Sequence, residues 1–169
     1  MTPKTPQEIL QELKYEPPPT VWDYAPNKWI KALSSGDLGR IAENLVATLV
    51  NGRPTKNSTV GYDIDANEKR IEVKAASVSI SNGYPVLSWK GIRGNDPYTH
   101  IGFVAFYTDN TRVFLVPRES IPAESLSPMN TSRTAEFAGA MNHQIHIRKI
   151  HNLPVWLTDH EIKCVVNLS

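Results

Sequence analysis

Apolar and polar residues alternate on both sides of Ala66-Asn67-Glu68-Lys69, through Val60-Gly61-Tyr62-Asp63-Ile64-Asp65 before it and Arg70-Ile71-Glu72-Val73-Lys74-Ala75 after it. A period of two is the mark of a strand with one buried face, and a short polar break between two such runs predicts a tight hairpin. With Asn67 and Glu68 as the turn, Asp63 falls opposite Glu72. Side chains opposed in an antiparallel pair share a face. Lys74 points the same way as Glu72, while Tyr62, Ile64, Ile71 and Val73 point to the other side. One hairpin therefore has a face that an apolar layer can bury and a face bearing two acids and a lysine.

Before the hairpin the period changes. Leu38, Ile41, Leu45 and Leu49 recur at helical spacing, broadened by Ala42 and Val46. Ser34-Ser35-Gly36-Asp37 supplies an N-cap and Asn51-Gly52 a stop, so a helix is expected between them. Glu43 lies at the edge of its stripe, one turn from the small residues Gly39 and Ala47. Further upstream, Thr5-Pro6-Gln7-Glu8 reads as the start of a short helix with Ile9, Leu10 and Leu13 on one side. Pro17-Pro18-Pro19 is a stiff connector, and Val21, Trp22, Tyr24, Trp29 and Ile30 form an aromatic arm expected to pack on the core or on a partner subunit.

After the hairpin, Asn82-Gly83 predicts a turn leading into a strand over residues 84–89, then a glycine-containing loop over 89–95. The nearly continuous apolar run 100–107 suits a central strand buried on both faces, and 112–116 returns as its neighbour. Short helical segments are expected over 121–126 and 134–141. Residues 143–151 alternate as a strand would, with Ile145 and Ile147 on one face and His146 and Arg148 on the other. His143 and His151 fall on the isoleucine face and His146 on the opposite one, a parity that argues against a shared zinc site. Two final apolar runs, 153–157 and 162–166, close the fold.

The length of 169 residues fits one domain with a real core, divided into an N-terminal helix and aromatic arm over residues 1–33 and a main body over 34–169. No apolar run approaches the ~18 residues of a membrane span, and the N-terminus lacks the apolar segment of a secretory signal, so a cytoplasmic protein without membrane contact is expected. The single cysteine, Cys164, excludes an internal disulfide and reads as a core residue. A net charge of +1 does not announce a nucleic-acid binder, but residues 69–118 hold seven basic residues against Glu72, Asp96 and Asp109. An overall balance can conceal a basic face.

The polar side of the hairpin is the chemical question. Neighbouring carboxylates repel unless a cation sits between them, and a divalent metal offsets the repulsion more than a lysine does. Mg²⁺ is held by one or two carboxylates with water and substrate phosphate completing its shell. An ordinary surface hairpin with a cross-strand ion pair would show the same short pattern.

Asp63, followed by Glu72-Val73-Lys74 on the next strand and preceded by Glu43 in Gly36-Asp37-Leu38-Gly39-Arg40-Ile41-Ala42-Glu43, resembles the active-site motif of the PD-(D/E)xK nuclease superfamily. Tyr62 stands where that motif commonly has proline. The resemblance covers roughly residues 36–118, with a weaker likeness in Val116-Pro117-Arg118-Glu119. It implies an α/β restriction-endonuclease-like fold, a mixed β-sheet core flanked by helices in α/β/α layers. It further implies a Mg²⁺-dependent endonuclease, with Mn²⁺ able to substitute, that hydrolyses phosphodiester bonds in double-stranded DNA. Glu43, Asp63, Glu72 and Lys74 would be catalytic, with Asp63, Glu72 and Glu43 as metal ligands. Lys90 or Ser88 would fill the polar position on the following strand. The small size is similar to type II restriction enzymes, which work as homodimers on palindromic sites. Repair, phage and homing nucleases share the core, and a non-cleaving DNA-binding module is the alternative outside catalysis. Lys90, Arg93, Arg118, Arg133 and Arg148 are the candidate DNA contacts.

Overall fold

The computed structural model describes residues 4–13, 20–56, 61–129 and 142–166. The proline connector, Val60, Arg133 and the helix expected over 134–141 lie outside these. The elements follow in the order α1 (Pro6–Glu12), α2 (Lys28–Lys31), α3 (Ser35–Leu49), β1 (Arg53–Pro54), β2 (Ile64–Ala66), β3 (Lys69–Ser77), β4 (Ser79–Ser81), β5 (Tyr84–Arg93), β6 (His100–Phe106), β7 (Thr111–Pro117), β8 (Ser127–Pro128), β9 (Asn142–Ile147), α4 (Val155–Thr158) and β10 (Glu161–Ile162).

These form a mixed α/β structure with two sheets, ordered β1-β2-β3-β6-β7-β10 and β4-β5-β9-β8. The β3–β6 pair is parallel and every other pair is antiparallel. The chain changes sheets at Val78. Its N–H still bonds Phe106 of the first sheet at 3.0 Å, and β4 begins at the next residue in the second.

The central hairpin has the register expected of it, with Ile64 opposite Ile71 and Ala66 opposite Lys69. Asn67 and Glu68 have φ of 41° and 64°, the paired positive values of a type I′ turn. Ile64, Ile71 and Val73 are buried. The layer over them is α3, capped by Ser34, whose Oγ accepts from the Asp37 N–H at 3.1 Å. At its other end Asn51 takes φ 50°, and Gly52 and Asn51 donate to the carbonyls of Ala47 and Thr48, the pairing of a Schellman stop. A side chain at Gly52 would bring its Cβ to 2.6 Å from Ile64 Cγ2, so only glycine lets this end of the helix settle on β2. The buried centre of α3 is Ala42, Val46 and Ala47. The expected stripe of Leu38, Ile41, Leu45 and Leu49 is only partly buried and packs around the core, because the small residues make the closest approach, as at Gly102, where an added Cβ would lie 3.2 Å from Val46.

On the opposite face the sheet is covered by β5 and α4 rather than by a second long helix. Trp89 of β5 meets Phe103 of β6 edge-on at 5.3 Å and donates Nε1–H to the Val104 carbonyl at 2.9 Å. Trp156 of α4 contacts the same Phe103 at 6.2 Å. The structure is mixed α/β as expected, but in place of the α/β/α layers the described residues have a helix on one face and a second sheet with a short helix on the other, where a buried aromatic cluster fills the space.

Other departures have local causes. Strand β5 runs on to Arg93 where a loop was expected over 89–95, because β9 pairs with it on both sides of a bulge between Trp89 and Ile92. The helix expected over 121–126 is replaced by two 3-10 turns, Arg118–Ser120 and Ala123–Ser125, in which Pro117 and Pro122 precede each turn. Cys164 is exposed rather than buried. It follows the short edge strand β10, and beside it Val165 is 64% exposed. The aromatic arm divides: Trp22 and Ile30 join the core, Trp22 donating to the Val78 carbonyl at 2.8 Å, while Tyr24 and Trp29 face outward. No helix among the described residues is long and apolar enough to cross a membrane.

Candidate active site

The alternation of β3 sends Glu72 and Lys74 to the face opposite α3, and β5 passes over that face. Between them lies a cleft of about 580 Å³ lined by Asp63, Glu72 and Lys74 from the hairpin and by Gly91, Arg93 and Asp96 from β5 and the loop after it. Gly61 and Tyr62 complete its wall; Tyr62, expected on the apolar side, lies before the start of β2 and so escapes the alternation of the strand. The bulge gives Gly91 a φ of 72°, and a Cβ there would stand 3.8 Å from Lys74 Nζ. Bulges re-aim a strand locally, and this one brings the β5 backbone over the lysine.

Asp63 is fixed by the backbone. The Val73 N–H donates to its Oδ2 at 2.7 Å, and its own N–H donates to the Ile71 carbonyl at 2.9 Å. Lys74 Nζ lies 2.5 Å from Glu72 Oε1, and both side chains are largely buried, 17% and 15% exposed. Burial pushes the Asp63 carboxyl above its ordinary value, against the opposing effects of the Val73 hydrogen bond and the Lys74 charge. Burial likewise raises Glu72, partly offset by Lys74 and reinforced by the charges of Asp63 and Asp96. Glu43 is also raised, first by burial and then by the charge of Asp63, while Arg40 and Lys74 pull it down. The structure therefore brings Asp63, Glu72 and Lys74 into one cleft and Glu43 into electrostatic reach of two of them.

Among the described residues no three His, Cys, Asp or Glu side chains form a group arranged to hold a metal ion. The hairpin gives the cleft the donor pair Asp63 and Glu72, and Asp96 also lines it. Two partly desolvated carboxylates with raised proton affinity fit a hard divalent cation that takes its remaining ligands from water and phosphate.

The candidate DNA contacts are dispersed. Arg93 lines the cleft and donates Nε–H to Asn142 Oδ1 at 3.1 Å. Lys90 and Arg148 are exposed, Arg148 beside Tyr84 and Val86 near the other end of β5. Arg118 is turned inward, donating to the Asp96 carbonyl at 2.7 Å and stacking over Tyr98 at 4.6 Å. Ser88 is bonded to His146, with Oγ and Nδ1 2.6 Å apart. Asp96 and Gly91 were not candidates from the sequence. The signal for Gly91 was a glycine within an otherwise strand-like run, the usual sign of a bulge. Asp96 carries no local signal, because the Arg118 contact that holds its loop spans distant parts of the chain. No protein-family model matches this chain, and no curated protein matches it.

Proposed function

We propose that this chain is a metal-dependent phosphodiesterase. More particularly, it is an endonuclease of the restriction-endonuclease-like kind, cutting double-stranded DNA at specific sequences as a cytoplasmic homodimer with one active site per chain. The observation that carries this reading is the convergence of Asp63, Glu72 and Lys74 in one cleft, with both carboxylates raised by burial.

Hydrolysis joins a water oxygen to phosphorus as the leaving oxygen departs, so a proton must be accepted and the charge growing on the phosphoryl oxygens must be met. Asp63 and Glu72 would hold Mg²⁺, or Mn²⁺ in its place. When bound, the ion supplies Lewis-acid polarisation of the phosphate and acidifies water. Lys74 uses one N–H on Glu72, which fixes its ammonium in the cleft and leaves further donors for a phosphoryl oxygen or the attacking water. The Val73 N–H holds Asp63 in its rotamer. Glu43, whose proton affinity is raised first by burial and then by the charge of Asp63, would serve as a further metal or water ligand.

The test is incubation with a long mixed-sequence duplex, with Mg²⁺ and with EDTA. Discrete fragments with Mg²⁺ alone are expected. Cleavage that survives Asp63→Ala, Glu72→Ala and Lys74→Ala would remove this site from consideration.

A further inference from the structure

The chain has 18 Lys and Arg against 17 Asp and Glu, but the two signs are not mixed evenly. Strands β4, β5, β8 and β9 contain no aspartate or glutamate, while Lys90, Arg93, His143 and His146 lie within them and Arg148 follows β9. Among the described residues four cations elsewhere pair with acids, in Lys74–Glu72, Arg112–Glu161, Lys4–Glu12 and Arg40–Asp37, while others, Lys28 and Lys31 among them, do not. Among the described residues Lys90, Arg93 and Arg148 make no such pair.

The register puts Lys90, Arg93, His146 and Arg148 on one side of the sheet and His143 on the other. Trp89, Ile145 and Ile147 are buried against the first sheet, so the alternate positions Ser88 and His146, paired across β5 and β9, face outward. Arg93 is paired with Asn142, and Lys90 and Arg93 are exposed. The Ser88–His146 and Arg93–Asn142 bonds hold this surface in a fixed arrangement, and Arg93 also lines the cleft. From Arg93 to the neighbourhood of Val86 and Arg148 the strand spans about 23 Å at its usual rise. One strand of a DNA duplex presents roughly seven phosphates over that length.

We propose that the outer face of the second sheet, from Arg93 to Arg148, docks the phosphate backbone of duplex DNA and leads it to the cleft. The choice of DNA as the polyanion rests on the nuclease reading; the existence of a face whose strands carry cations and no acids does not. Salt-dependent binding of a duplex in EDTA, where nothing is cut, tests it with Lys90→Gln/Arg148→Gln against a control, Lys28→Gln/Lys31→Gln, on exposed residues of α2. The sheet variant is expected to bind more weakly, with a log–log salt slope shallower by about 2, near 0.9 per phosphate contact, while the control is unchanged. In Mg²⁺ the sheet variant is expected to raise its KM. Unchanged affinity and slope, an equal loss in the control, or binding to phosphatidylserine vesicles in place of DNA would overturn the proposal. Weaker duplex binding by the sheet variant of a protein that does not cut would leave the face standing and remove the nuclease reading. Cleavage with an unchanged KM would do the reverse.

Discussion

The two sides of β3 are built from alternate residues of one strand and have opposite energetics. Under α3, Ile71 and Val73 are buried among apolar neighbours, and Gly102 lets the helix approach closely. On the cleft side, Glu72 and Lys74 are nearly as inaccessible, but burial there works against the carboxylates' charge. Desolvating apolar surface stabilises a fold, whereas desolvating acids costs stability unless a cation compensates. The first side holds the protein together, and the second is kept at the expense of stability, which is where perturbed acids acquire functional meaning.

The largest expected effects separate the sides completely. Ile71→Ala should cost about 2–5 kcal/mol in denaturant unfolding, since it leaves a cavity where no residue can collapse easily. Lys74→Ala should cost less stability than that, because the Glu72 it leaves unpaired can take up a proton, and should lower single-turnover cleavage by about 10²–10³-fold, the usual loss on removing one donor to a developing oxyanion. A stability loss for Lys74→Ala as large as that for Ile71→Ala would make the ion pair a structural element and break the contrast.

A subtler test uses pH. Asp63 and Glu72 bind protons more tightly in the folded chain than in the unfolded one. Their contribution therefore favours the fold at low pH and declines as pH rises from the ordinary carboxylate range through their raised values. Glu161, held low by the Arg112 guanidinium, contributes with the opposite sign, so the readout is the difference between parent and variant. Asp63→Asn, which can still accept the Val73 N–H, should flatten the decline seen in EDTA as pH rises above the ordinary carboxylate range. Mg²⁺ near neutral pH should raise the Tm of the parent and not of the variant. Parallel pH curves for the two would show that Asp63 is not under the strain its burial implies.

Legibility in the sequence followed the same division. The hairpin, its turn and the identity of its two faces were readable because period-2 alternation and an Asn-containing break are local signals. The ends of α3 were readable for the same reason, from Ser34 and from Asn51-Gly52. What escaped depends on contacts between distant segments. The partition into two sheets turns on Val78, β5 continues past Trp89 only because β9 supports it, and Asp96 reaches the cleft through Arg118. Cys164 was misread because an apolar run at an edge looks like an apolar run in a core. The grouping of Asp63, Glu72 and Lys74 required only register and parity, whereas the path of Glu43 to them required the packing of α3.

Gly91→Ala should have a smaller effect, of one kind. Its φ of 72° disfavours any side chain, while the nearest neighbour of an added Cβ, Lys74 Nζ at 3.8 Å, is an ordinary contact. The expected cost is about 1–2 kcal/mol, from backbone strain alone. If the bulge relaxes to avoid it, β5 shifts over Lys74, and cleavage should fall by more than the stability loss explains. Equal effects on folding and cleavage would mean that the bulge serves the sheet and not the cleft.

The smallest change acts on both sides of β3 at once. Glu68 sits in the hairpin turn at φ 64°, a conformation that costs an L residue about 1–2 kcal/mol and glycine almost nothing. Glycine gives back part of that through the greater freedom of the unfolded chain, so Glu68→Gly should stabilise the protein by a net ~0.5–1 kcal/mol. The turn sets the register that places Ile71 on one side and Glu72 on the other, and an Asn-Gly turn keeps it. Cleavage per folded molecule should be unaltered while the unfolding midpoint rises. A change in cleavage would show that the turn residue communicates with the cleft beyond fixing register, and the separation of the two faces would then be incomplete.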